Sequence, residues 1–194
     1  MAELQRKPTR ICLLTGPPGC GKTTLVRRLM ESLTGVRVAG FLTSEIREAG
    51  RRLGFAAQNL DGASCVMAHR SIRTRQRVGA YGVDVEAFER VVVGPLELLQ
   101  EPNLYIIDEI GKMELKSPRF LRLIGRLATG SCPLLATVPV TPLTVVTQLE
   151  QRDDALLVRM KKSERAAAAR ALVDWCRDCG FELAGDLDRA VGYD

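Results

Sequence analysis

The sequence has very little histidine, no long apolar run and no repeated or low-complexity segment. His69 is the only histidine among 194 residues, and Cys176-x-x-Cys179 is a lone pair with no second pair to complete it. A structural zinc needs four ligands, so no zinc site is expected. Leu172, Val173, Cys176 and Cys179 instead fall at helical spacing, as small apolar residues of a buried helix face do. No stretch of about eighteen apolar residues occurs, which argues against a membrane-spanning helix. Met1 to Lys7 lacks the apolar core of a signal peptide, so a cytoplasmic location is expected and no membrane partner. The six cysteines are accordingly not expected to form disulfides.

What remains is the composition of an ordinary globule. Hydrophobic residues make up 46% and charged residues 26%, which leaves no ground for disorder. The length suits one α/β domain over residues 1–194 and is short for two. A monomer is expected. Much of the net charge of +5 gathers around Arg70, Arg73, Arg75 and Arg77. A site for a polyanionic nucleotide also needs cations, so nucleic acid is not the expected partner.

The organising stretch is Thr15-Gly16-Pro17-Pro18-Gly19-Cys20-Gly21-Lys22-Thr23-Thr24. Ile11-Cys12-Leu13-Leu14 before it reads as a short buried strand, and Leu25 to Met30 after it has helical spacing. Strand, glycine loop, helix is the context in which G-x-x-x-x-G-K-[ST] is a P-loop. Its glycines let successive backbone N–H groups and the helix start approach a polyphosphate. Lys22 then reaches the β and γ phosphates, and the Thr23 hydroxyl is placed to ligate Mg²⁺.

Residues 1 to 9 read as a polar leader. The helix after the loop is expected to reach about Leu33, with Leu25, Leu29 and Leu33 on one face. Val36 to Ile46, the turn Ala49-Gly50 and Arg52 to Leu60 predict an antiparallel hairpin. The expected sheet is therefore mixed, mostly parallel with this early hairpin, and has helices on both faces. Residues 61 to 83 show no periodicity and are expected to form a long loop, whose basic part, Arg70 to Arg77, has the makings of a lid. Asp84 is a candidate N-cap, and Gly94-Pro95 is expected to break or kink the helix that follows. Leu104 to Ile107 predicts a buried strand, Ser117-Pro118 a capped helix start, and Pro133 to Val138 a further strand. Thr141-Pro142 is expected to open a helix to about Gln151, ahead of a strand near Leu156 to Val158. Ser163 is expected to cap an alanine-rich helix reaching Cys179-Gly180. The tail beyond Gly185 is polar.

A strand ending in Asp108-Glu109 is the second half of the site. The terminal Asp of such a Walker B strand serves the Mg²⁺ beside the P-loop Thr, so Thr23 and Asp108 are the candidate metal ligands. Glu109, directly after it, is the candidate base that orients or deprotonates water for in-line attack on the γ phosphorus. Lys112 is a candidate cation for the charge that develops on the transferred group. Thr137 ends the next strand, where it is a candidate γ-phosphate sensor.

With Gly-Pro-Pro-Gly-Cys-Gly-Lys-Thr-Thr at 16–24 and Ile-Asp-Glu-Ile-Gly-Lys-Met-Glu-Leu at 107–115, the chain resembles the cancer-related nucleoside-triphosphatase family. Further matches are Gly40 to Arg47, Gly50 to Phe55, Arg77 to Asp84, and Thr137-Val138-Pro139, in order over nearly the whole chain. The resemblance implies a RecA-like P-loop fold and slow, Mg²⁺-dependent hydrolysis of ATP, GTP, CTP and UTP with little base preference. It also implies nucleotide contacts along Asp108, Glu109, Ile110 and Gly111. In the family an Asn-Arg pair tends to precede the last helix; here Glu164-Arg165 stands there. That leaves Arg165 as a candidate stack for the base without the neighbouring amide. Two rivals share the P-loop: a nucleotide or small-molecule kinase, and a binding module switched by its nucleotide.

Overall fold

The computed structural model describes residues 9–99 and 102–184. The leader, apart from Thr9, and the tail beyond Gly185 lie outside the described residues. Strand β1 (Ile11–Thr15) is buried at every position. Ile11 and Leu13 enter one core and Cys12 and Leu14 the other, so the run is apolar without alternation. Helix α1 (Lys22–Ser32) follows the glycine loop. Leu33, expected on its last turn, instead opens the two-residue strand β2 (Leu33–Thr34). Strands β3 (Val38–Glu48) and β4 (Arg51–Asn59) make the expected hairpin. Ala49 at φ 46° and Gly50 at φ 76° supply the left-handed pair that a two-residue turn requires.

The expectation of one long loop over 61 to 83 is corrected. β5 (Ser64–His69) pairs with β4, and β6 (Arg77–Val78) and β7 (Tyr81–Val83) carry the sheet further. Two of the glycines near here mark tight approaches inside strands. A Cβ on Gly82 would lie 2.1 Å from the Ile72 carbonyl oxygen, and one on Gly54 would lie 2.3 Å from that of Ala68. The stretch between β5 and β6 stays irregular, and Arg70 at its start lies over the Tyr81 ring at 5.7 Å.

Asp84 is the expected cap, its Oδ1 accepting from the Ala87 N–H at 2.9 Å. The helix is not broken at Gly94-Pro95. α2 (Val85–Phe88) passes into a π-helical segment, Glu89–Val93, and then into α3 (Gly94–Leu98), so a widened turn takes in a proline that has no N–H to donate. β8 (Leu104–Ile107), a 3-10 turn at Glu114–Lys116 and α4 (Pro118–Thr129) follow. Ser117 Oγ caps α4 by accepting from the Phe120 N–H at 2.9 Å. Next come β9 (Leu134–Val138), α5 (Thr144–Glu150), β10 (Ala155–Arg159), α6 (Arg165–Asp178) and β11 (Glu182–Leu183). α5 begins later than expected, without a side-chain cap. Ser163 falls inside a 3-10 turn, Lys162–Glu164, ahead of an α6 that also begins uncapped.

Among the described residues the main sheet has nine strands, in the order β10-β1-β9-β8-β3-β4-β5-β7-β6. Its first five are mutually parallel, and the rest extend it antiparallel from the hairpin. α1 and α6 cover one face around Leu29, Leu172 and the fully buried Trp175. α2, α3, α4 and α5 cover the other, where Phe41, Phe88 and Phe120 meet edge to face at 5.4 to 5.9 Å. Cys176 is fully buried beside Cys12 in the first of these cores, as the helical spacing predicted. Parallel strands deliver their carboxyl ends to one edge, and β9 stands between β1 and β8 there, with Leu14 beside Thr137 and Ala136 beside Ile107. That alignment brings the two motifs together.

Candidate active site

The loop between β1 and α1 is shaped by contacts only glycine permits. A Cβ on Gly16 would meet the Met160 carbonyl oxygen at 2.3 Å and Cys20 Sγ at 2.9 Å. Gly19 and Gly21 take φ of 70° and 105°. Gly21 offers α1 no side-chain cap, and the first turn carries no acid. The helix thus presents uncompensated N–H groups and the positive end of its dipole to the loop. Lys22 Nζ donates to the Gly16 carbonyl at 2.9 Å, folded along the cradle. Arg165 Nε donates to the Cys20 carbonyl at 2.7 Å, so Arg165 braces the loop from α6. Its guanidinium lies 3.4 to 3.6 Å from where a Gly21 Cβ would stand.

Asp108 leaves β8 toward this loop and is 2% exposed. Its Oδ1 accepts from Thr137 Oγ1 at 2.5 Å, whereas its buried Oδ2 has no hydrogen-bond partner. Burial raises the Asp108 pKa; the Thr137 hydroxyl, the Thr23 hydroxyl, the Thr43 backbone and the Lys22 charge act against it. The Thr23 hydroxyl and the Thr43 backbone act on this carboxylate without closing a hydrogen bond to Oδ2. A buried carboxylate oxygen left open beside a threonine hydroxyl is what an oxygen-seeking cation requires. Thr137 is itself fully buried, and its hydroxyl is committed to Asp108. In this arrangement it orients the acid.

A cavity of about 800 Å³ opens over the loop. Of the expected residues, Gly16, Pro18, Gly19, Gly21, Lys22, Thr23, Thr24, Glu109, Gly111 and Lys112 line it. Pro17, Cys20, Asp108, Ile110, Thr137 and Arg165 are not part of that lining: Cys20, Asp108, Ile110 and Thr137 are buried, Arg165 is half-buried and Pro17 is exposed. Cys20 and Ile110 are core residues at 2% and 0% exposure, and the Ile110 N–H donates to the Thr137 carbonyl at 2.9 Å. Glu109 is partly exposed at the wall, and its pKa is raised by burial, lowered by Lys22 and raised again by Asp108. Lys112 is exposed at the rim.

The opposite wall was not foreseen. Thr43, Ser44, Glu45, Arg52, Phe55 and Val78 come to it from β3, β4 and β6. Arg52 is held there by Glu45 Oε1 at 2.5 Å and lies 5.3 Å from the centre of the Phe55 ring. Polar residues on the hairpin flank were the available signal, but nothing in a strand pattern says which ligand a strand faces.

Glu114 was also missed. It is 5% exposed, reaches the cavity wall, and accepts from the Gly111 N–H through Oε2 at 3.1 Å. Burial raises its pKa from the ordinary 4.5 to about 8, and the charges of Glu109 and Asp108 push the same way. The folded protein therefore keeps a proton that the unfolded chain loses. Stability from this group is complete below about pH 4.5 and declines as pH rises toward 8, by at most about 1.4 kcal/mol per pH unit. Replacing Glu114 by Gln removes that slope. Thermal midpoints of wild type and Glu114→Gln should therefore diverge in favour of the variant between pH 5 and pH 8, and parallel curves would contradict a buried neutral acid.

An uncapped helix start behind a glycine cradle, with two acids converging on it from a parallel strand, defines a RecA-like P-loop nucleotide-binding protein. The family model described as NTPase matches residues 11–173, and the chain belongs to that family. It is similar to the nucleoside-triphosphatase THEP1 of Thermotoga petrophila, 35% identical over 162 residues, 83% of this chain and 89% of the relative. It is also similar to the human cancer-related nucleoside-triphosphatase, 37% identical over 172 residues, 80% of this chain and 90% of that one. The crystal structure of THEP1 from Aquifex aeolicus superposes with a TM-score of 0.76 at 30% identity, covering 84% of this chain and 97% of that chain. The solution structure of the human protein gives 0.72 at 34% identity, covering 85% and 96%.

Proposed function

We propose that this chain hydrolyses nucleoside 5′-triphosphates to diphosphate and phosphate, slowly, with Mg²⁺ and with little preference among ATP, GTP, CTP and UTP. The observation that carries the reading is the open, buried Oδ2 of Asp108 beside the Thr23 hydroxyl, at the foot of a cavity that also holds Lys22 and Glu109. Thr23 and Asp108 would hold the Mg²⁺, which when bound supplies charge neutralisation at the β and γ phosphates. The loop amides and Lys22 bind the triphosphate. Glu109 accepts a proton from the water whose oxygen attacks the γ phosphorus as the bond to the bridging oxygen breaks. Lys112, at the rim, offers a positive charge to the departing group.

The base is expected to lie outside the cradle, where Arg165 supplies a guanidinium and the neighbouring Glu164 carries no amide. Stacking is indifferent to the identity of the base, which supports breadth. A monomer in the cytoplasm, acting as one domain, completes the reading. Phosphate release from the four triphosphates, with Mg²⁺ and then with EDTA, tests it. Rates within about one order of magnitude of each other, abolished by EDTA, are expected. Diphosphate formed only with an added phosphoryl acceptor, the phosphoryl group being recovered on that acceptor and not as free phosphate, would make the chain a kinase, and release only with a protein or RNA partner would make it a switch.

A further inference from the structure

Glu114 is a carboxyl group buried on the wall of the cavity, and the reaction proposed above does not use it. Its Oε2 takes the Gly111 N–H at 3.1 Å, and the Leu115 N–H returns to the Gly111 carbonyl at 3.1 Å. Gly111 is thereby held on both its backbone groups by the turn that carries Glu114. The same glycine is where the two acids approach. A Cβ on Gly111 would stand 2.7 Å from Glu114 Oε2 and 3.0 Å from Glu109 Oε1. The two carboxyl groups are therefore within about 6 Å of each other, close enough for one to bias the ionisation of the other.

We propose that Glu114 is a positioning residue, which through Gly111 holds the Asp108–Gly111 segment so that the Glu109 carboxylate faces the cavity. The inference rests on the reading of Glu109 as the base. Only two other backbone ties on this segment are direct, Asp108 N–H to the Phe41 carbonyl at 3.1 Å and Ile110 N–H to the Thr137 carbonyl at 2.9 Å. Both precede Gly111. Without the Glu114 bond the Gly111 N–H loses its partner two residues after Glu109 and only the Gly111 carbonyl stays tied, to the Leu115 N–H; a base displaced by about 1 Å loses much of its effect.

Glu114 performs this as a neutral acid. Burial keeps it protonated near neutral pH, so it accepts the Gly111 N–H without placing a second negative charge beside Glu109. The charges that bear on it are those of Glu109 and Asp108, and Lys22 and Lys112 line the same cavity. On the helical side Glu89 is engaged by Ser117 Oγ at 2.5 Å and by Arg119. A glutamine amide matches the protonated carboxyl in shape and keeps an acceptor oxygen for Gly111.

The test compares Glu114→Ala with Glu114→Gln in phosphate release and in hydrogen exchange at the Gly111 amide. Glu114→Ala is expected to lower kcat about tenfold or more with KM within about twofold of wild type, and to speed Gly111 exchange. Glu114→Gln is expected to recover kcat to within about threefold of wild type and to keep Gly111 protected. Wild-type kcat in the alanine variant, or an equal loss in both variants, would overturn the proposal. Should the alanine variant not fold, the glutamine variant alone decides: recovered kcat with a protected Gly111 supports it, and a loss beyond about tenfold refutes it. Exchange needs no turnover. A wild-type protein that releases no phosphate would therefore sink the hydrolase reading alone, and Gly111 exchange indifferent to both substitutions would sink this one.

Discussion

Lys22→Ala is expected to lower kcat/KM for every triphosphate by on the order of 10²–10³-fold, the range seen when one preorganised donor to a developing negative charge is removed. Most of the loss should already appear in nucleotide binding, because on the proposed reading the lysine would meet the β and γ phosphates in the ground state as well as in the transition state. The fold should scarcely notice. Lys22 makes one bond to the loop, to the Gly16 carbonyl, and losing it costs about 1 kcal/mol. Titration calorimetry with a non-hydrolysable triphosphate, alongside a thermal melt, separates the two effects. Unchanged affinity would remove the P-loop from the mechanism. Affinity lost together with a large drop in melting temperature would make Lys22 a structural residue.

The second large effect belongs to Glu109. Glu109→Gln removes the proton acceptor while keeping the shape of the side chain, so kcat should fall by ~10²-fold or more with nucleotide affinity preserved. The surroundings make this substitution a clean one. Glu109 is partly exposed, and the influences on its carboxyl are burial, the Lys22 charge and the Asp108 charge. The candidate metal ligands, Thr23 and Asp108, are untouched by the substitution, so metal binding should largely hold. If nucleotide and Mg²⁺ binding both collapsed, Glu109 would belong to the metal site and another group would have to take the proton.

How far the placement of these residues was legible beforehand differs from one to the next. The P-loop was legible because its chemistry is local: strand, glycines, lysine, threonine and helix are contiguous, and each residue type answers to one backbone or charge requirement. Asp108 and Glu109 were legible for a similar reason, as the polar end of a continuous apolar strand. Thr137 was legible as the end of a strand beside them, but its bond to the acid was not. Only the register of β9 between β1 and β8 turns its hydroxyl onto Asp108. Arg165, a candidate for the base, proved to brace the loop through the Cys20 carbonyl, a contact spanning most of the chain.

Other features were hidden by the ambiguity of small residues. Gly82 carries no mark that distinguishes a turn from a place where two backbones nearly touch, so the sequence over β5, β6 and β7 reads as a loop. Gly94-Pro95 promised a break, and the π-helical segment before it absorbed the proline instead. Glu114 looked like an ordinary acid between Met113 and Leu115. Burial and the Gly111 N–H, both products of packing, are what set it apart.

Contiguous residues by themselves determined the phosphate cradle, the buried strands and the acids at the end of one of them, since periodicity and backbone freedom act over a few residues. The tertiary structure alone decided which polar groups are satisfied and which are left open. Asp108 has one oxygen bonded and one bare, Thr137 is turned inward, and the far wall of the cavity comes from strands remote in sequence. Hydrogen bonding and desolvation act between whatever surfaces the fold brings together, and a linear order of residues does not contain those distances.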